Sequence, residues 1–162
     1  MTSLHLLRHA HAGDAERWDG PDAERPLSEK GRRQALRLGA LLAGMDEAPD
    51  ILVSSPKVRA RETAELVAAA LGVPVVIDDR LAGALDVPVV DDILRTSAPG
   101  AERPCLVGHD PDFSGVLGDL LGTGPVFMRK GAIARVDVSR PIAYGRGVLR
   151  WLVPPEVVPD RR

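Results

Sequence analysis

The 162 residues suffice for one domain with a real core, and a composition of 44% hydrophobic and 27% charged residues is that of a soluble globular protein. With only 3% aromatic residues, that core is expected from Leu, Val, Ile and Ala. A net charge of −2, with no basic run interleaved with aromatics, argues against nucleic acid, and no apolar run nears the ~20 residues that span a bilayer.

In chain order, Leu4 to Leu7 reads as a first strand, cut short by Arg8 and His9 and too brief for a signal peptide, so the cytoplasm is the expected compartment. Ser28 N-caps a helix predicted to Met45, with Ala35, Leu38, Leu42 and Met45 on one face. Ile51 to Val53 is a second strand. Ser55-Pro56 reads as an N-cap with proline at the first helical position, opening a helix to Leu71 that Gly72 closes. Val73 to Ile77 is a third strand, and Pro88 to Thr96 a short helix. Cys105 to Gly108 is a fourth strand; Cys105, the one cysteine, can form no intramolecular disulfide and reads as a core residue. Asp110-Pro111 caps a helix to Leu121, and Gly122 to Pro125 reads as a turn. Ala132 to Val138 and Val148 to Val153 are two closing strands, expected antiparallel.

Strand–helix alternation, with strands apolar on both faces, predicts a three-layer α/β/α sandwich around a mostly parallel sheet. One domain is expected over 1–153, followed by a poorly ordered C-terminal tail over 154–162 that holds three prolines. Ligands in such folds bind beyond the carboxyl ends of the strands. Three strands end there in chemistry-bearing pairs: Arg8-His9, Ser54-Ser55 and Gly108-His109. Arg59, in the first turn of its helix, can share an anion with that helix end. Arginines and a helix terminus suit the oxygens of a transferring phosphoryl group, and a neutral imidazole suits in-line attack. His9 is the expected nucleophile. Neighbouring arginines lower its pKa, while a protonated His109 stabilises the oxygens. Adjacent strand residues face opposite ways, so Arg8 and His9 enter one pocket only if the strand ends or bends there.

Leu7-Arg8-His9-Ala10, then Ser54 to Ala64, then Val107-Gly108-His109-Asp110-Pro111 resemble the histidine phosphatase superfamily, also called phosphoglycerate mutase-like. Arg25 to Gly31, leading to Gln34-Ala35, resembles the family's segment after the first motif. The matched stretch, residues 4 to 113, covers about two thirds of the chain, and its shortness is similar to the compact SixA-like phosphohistidine phosphatase branch. The resemblance implies a transient phosphohistidine on His9, a pocket completed by Arg8, Arg59 and His109, and a further substrate-binding arginine, Arg25. No cofactor and no metal are implied.

Larger members carry a glutamate proton donor after the third strand, near an Arg-Leu pair. Here Arg80-Leu81 is followed by no acid before Asp86, so the donor is unidentified. An alkoxide needs a proton to leave, whereas a phosphorylated imidazole that carries one on its other nitrogen leaves neutral. The expected substrate is therefore phosphohistidine on a protein partner. The alternatives are a small phosphate ester in the same pocket, a mutase, which needs the missing donor, or a non-catalytic phosphate-binding module.

Other candidates read blandly. His5 is a satisfied strand histidine. His11 forms a His-x-His pair with His9, but Arg8 repels a cation and no acid or cysteine has ligand spacing. Asp14, Asp19 and Asp22 read as solvated in the 13–24 loop, which Trp18 anchors or uses to cover the site. Arg61 and Glu62 read as surface, Asp86 as a loop carboxylate and Asp110 as a cap.

Overall fold

The structure, a computed structural model, describes residues 1–160. Six strands form one mixed sheet in the order β3-β2-β4-β1-β5-β6. β1 (Thr2–Arg8), β2 (Ile51–Ser54), β3 (Val75–Ile77) and β4 (Pro104–Gly108) are parallel, while β5 (Ile133–Val138) and β6 (Val148–Val153) run antiparallel. The helices are α1 (Glu29–Ala43), α2 (Val58–Leu71), α3 (Val87–Ser97) and α4 (Asp112–Leu121).

Strand alternation sorts the apolar side chains into two cores. Leu7, Leu52, Cys105 and Val107 pack on one face with Leu38 and Leu42 of α1 and Ala64 and Val67 of α2. Leu4, Leu6, Val53 and Leu106 pack on the other with Val90 and Ile93 of α3 and Phe113 and Leu117 of α4. This is the expected three-layer sandwich.

Ser28 caps α1, its side chain accepting from the Gly31 amide, and Gly72 ends α2 at φ 67°. α2 starts later than its sequence suggests. Ser55 and Pro56 lie before the helix, and Lys57 is its N-cap, with no side-chain hydrogen bond. The Ser55 hydroxyl is turned instead to the Lys57 amide at 3.2 Å and to His109.

Two further readings need correction. His5 is fully buried and only weakly satisfied: neither ring nitrogen makes a hydrogen bond of good geometry, the backbones of Pro104 and Ser3 partly offset the effect of burial, and the ring packs on Trp151 at 5.7 Å between ring centroids. Of the 154–162 tail, residues 154–160 fold back on the domain, with a short helical turn at Pro155–Val157, Pro155 and Val158 buried and Asp160 paired with Arg37 at 2.5 Å; residues 161 and 162 lie outside the described residues.

Candidate active site

β1 and β4 are in register with Arg8 beside Gly108, and β2 and β4 with Ser54 beside Val107. His9, Ser55 and His109 therefore follow directly on the ends of three neighbouring strands, β1, β2 and β4. The His9 and His109 rings stand 5.2 Å apart. β1 ends at Arg8, and the His9 amide donates to the Gly108 carbonyl at 2.9 Å. That ending frees both side chains from strict alternation.

His9 is 5% exposed. Its Nδ1 lies 2.7 Å from the Ala10 carbonyl, which can only accept, so Nδ1 carries the hydrogen and Nε2 keeps its lone pair. Burial chiefly, opposed by that hydrogen bond and reinforced by His109, Arg59 and Arg8, lowers its pKa to about 3. Ala10 is itself held by α2, its amide donating to Thr63 Oγ1, whose hydroxyl donates to the Arg59 carbonyl.

His109 Nε2 lies 2.8 Å from Ser55 Oγ. With that hydroxyl donating to Nε2, the imidazole hydrogen sits on Nδ1, which is buried and has no partner. Burial, then Arg59 and Lys57, lowers its pKa to about 3, so the protein's own charges leave His109 neutral rather than protonated.

Arg59 is buried, and its Nε is likewise without a partner. Its Nη1 and Nη2 donate to the Asp22 carbonyl at 2.8 Å and to Asp22 Oδ2 at 3.0 Å. Arg8 donates through Nη1 to the Met128 carbonyl, lies 3.6 Å from Asp110, and has a buried, unpartnered Nε. Arg25 is also buried, bonded to the Ala12 carbonyl and to Asp22 Oδ1 at 3.2 Å, and close enough to Arg59 to lower the latter's pKa further after burial. All five residues expected from the sequence thus meet at one edge of the sheet.

Asp22 stays exposed to solvent, but it is not free: it pairs with both Arg59 and Arg25. Burial alone would raise its pKa, but Arg59 and Arg25 outweigh that and hold the carboxyl below its ordinary value. Glu62 leaves the surface role, accepting from the Leu27 amide at 3.0 Å and from Arg32 at 2.5 Å. It ties the Arg25 segment to α2. Trp18 anchors its loop through the Pro21 carbonyl. Asp86 caps α3, and Asp110 accepts from both the amide and hydroxyl of Ser114. His11 Nδ1 is held 2.6 Å from Ser28 Oγ.

Lys130 was missed entirely. Burial, then Arg8, Arg25 and Arg59, lowers its pKa, while Lys30 acts on His11 and Lys57 on His109. Of the chain's three lysines, Lys57 and Lys130 therefore border the site, and Lys30 borders the neighbouring His11. Their scarcity was the one sequence signal available.

Residues 4–84 match the model of the histidine phosphatase superfamily, branch 1. The chain belongs to that superfamily. It is a phosphatase, built as a compact, SixA-like member. It is 29% identical over 158 residues to the probable phosphoglycerate mutase GpmB of Cronobacter sakazakii, covering 91% of this chain and 71% of the relative. A crystal structure assigned as the phosphohistidine phosphatase SixA from Agrobacterium tumefaciens superposes with a TM-score of 0.76 at 26% identity, over 95% of this chain and 99% of that one. The protein histidine phosphatase SixA complexed with tungstate gives 0.80 at 23% identity, over 95% and 97% of the two chains.

Proposed function

We propose that this phosphatase works through a phosphohistidine on His9 and removes phosphate from phosphohistidine on a protein partner. The supporting observation is that three buried polar atoms without partners, Arg8 Nε, Arg59 Nε and His109 Nδ1, belong to the three side chains whose charges act on His9, the imidazole at the strand ends whose Nε2 is free. Unpaired buried polar groups are costly and rare, and an anion bound beside His9 would bring acceptor oxygens to them.

In the first step, the Nε2 lone pair of His9 forms the new bond to phosphorus. The bond to the leaving nitrogen breaks, and its electron pair departs with the leaving imidazole, which keeps the hydrogen on its other nitrogen. Arg8, Arg59 and His109 hold the equatorial oxygens. The Ala10 carbonyl keeps a proton on Nδ1 of the phosphorylated His9, so this ring in turn leaves as a neutral imidazole when water attacks phosphorus. Both protons of the water go with the phosphate, which is released as dihydrogen phosphate.

The carboxylates also bear on the substrate. Asp86 caps a helix, Asp22 is held by two arginines, and Asp110 by Ser114 and Arg8. None is poised as a general acid, which disfavours alkoxide leaving groups. The test is turnover of a phosphohistidine-bearing domain, an aryl phosphate and an alkyl phosphate by the same preparation. A kcat/KM about 100-fold higher for the phosphohistidine domain than for the alkyl phosphate is expected from the missing acid. Equal efficiencies overturn the substrate assignment.

A further inference from the structure

Next to the phosphate pocket, and sharing Arg8 with it, lies an open cavity of about 410 Å³, the size of a small-ligand site. Its wall carries four cations, Arg8, Lys30, Arg129 and Lys130, beside His11, against one carboxylate, Glu156. That carboxylate is spent on Arg129 at 3.3 Å. Among the described residues neither Lys30 nor Lys130 forms an ion pair, although most of the arginines do. On a chain of net charge −2, this is a local excess of positive charge that repels itself.

The fold holds the excess in place from both sides. The Gly131 amide donates to the carbonyls of Arg8 and His9, at 3.1 and 2.9 Å, which pins the segment carrying Arg129 and Lys130 to the end of β1. Gly131 sits at φ 82°, where other residues are strained, and a Cβ there would meet Gln34 Oε1 at 3.3 Å. Lys30 comes from the first turn of α1, whose cap Ser28 also holds His11. Phe127, 69% exposed, adds an apolar wall.

We propose that this cavity binds a second anionic group of the substrate, a carboxylate or phosphoryl beside the one that reacts, gripped by Lys130 and Lys30. The assignment rests on the phosphatase reading above. It makes the enzyme selective for phosphohistidine flanked by acidic side chains, or for a doubly anionic small ester.

Calorimetric titration with alkylphosphonates of two to five carbons, ending either in methyl or in carboxylate, tests it without turnover. At one chain length the carboxylate is expected to tighten binding about tenfold, the gain of a charged hydrogen bond. That gain disappears in Lys30→Gln and Lys130→Gln and persists in Arg61→Gln, a surface control paired only with Glu65. No gain at any length, or a gain unchanged in both lysine variants, overturns the subsite. Aryl phosphate turnover measured in parallel separates the two readings: turnover without a carboxylate gain refutes the subsite alone, and a gain without turnover refutes the phosphatase reading alone. Changing acidic residues beside the phosphohistidine of a partner domain to amides identifies the source. A matching loss assigns the cavity to the protein flank, and full retention with a phosphonate gain assigns it to a small ester.

Discussion

His9 offers a single nitrogen to substrate because the Ala10 carbonyl claims the other. Asp22 sets a second condition, since its carboxylate occupies donors of Arg59 and Arg25 that a phosphate also uses. With the Asp22 side chain 54% exposed, the competition is worth about 1 kcal/mol. In Asp22→Asn, inorganic phosphate is therefore expected to inhibit about fivefold more strongly, read from its inhibition constant. Weaker inhibition instead would mean that Asp22 organises the two arginines more than it competes with their ligand. Asp22 was illegible in the sequence for a plain reason. Its partner Arg59 lies 37 residues on, and nothing local distinguishes it from Asp14 or Asp19. The positions of Arg8, His9, Arg59 and His109 were legible, because each sits at a strand end or in the first turn of a helix, whereas Arg25, in the loop before α1, was named only through the family resemblance.

At the scale of elements, α1 is docked on the loop that follows His9. The Ser28 amide donates to the His11 carbonyl at 3.0 Å, and a Cβ built on Gly31 lies 1.9 Å from that carbonyl oxygen. No side-chain rotation relieves a clash between backbone groups. Gly31→Ala is expected to destabilise the protein by about 3 kcal/mol or more in denaturant unfolding and to lower kcat/KM with it. Wild-type stability in that variant would show that α1 can slide without harm. Helix and strand positions were readable from periodicity and caps. The start of α2 was not, because the Ser55 hydroxyl serves His109 as well as the backbone, and a cap signal cannot reveal that second partner. The sheet order was equally out of reach, since the pairing of β1 with β4 joins residues about a hundred positions apart.

Across the whole molecule, three histidines, the buried His5 and His9 and the partly buried His109, are held neutral, with pKa values lowered to about 4, 3 and 3, each mainly by loss of hydration. In the unfolded chain they titrate near 6.5. Between these values the unfolded state binds more protons, so stability is full above about pH 6.5 and falls as pH drops toward 4. His5 alone contributes a loss on the order of 3 kcal/mol at pH 4. Because neither ring nitrogen makes a hydrogen bond of good geometry, His5→Leu is expected to raise the thermal midpoint, and by more at pH 5 than at pH 8. An equal shift at both pH values would contradict a neutral buried imidazole. The sequence could place His5 on a strand but not reveal its poor hydrogen bonding, which depends on the packing of β6 through Trp151.

The most direct test of the phosphoenzyme is to incubate the protein with a radiolabelled phosphoryl donor, quench in alkali and locate the label. Alkali-stable, acid-labile phosphate on His9, absent from His9→Gln, is the predicted result. Turnover with no trapped label, or the same label in His9→Gln, would contradict it.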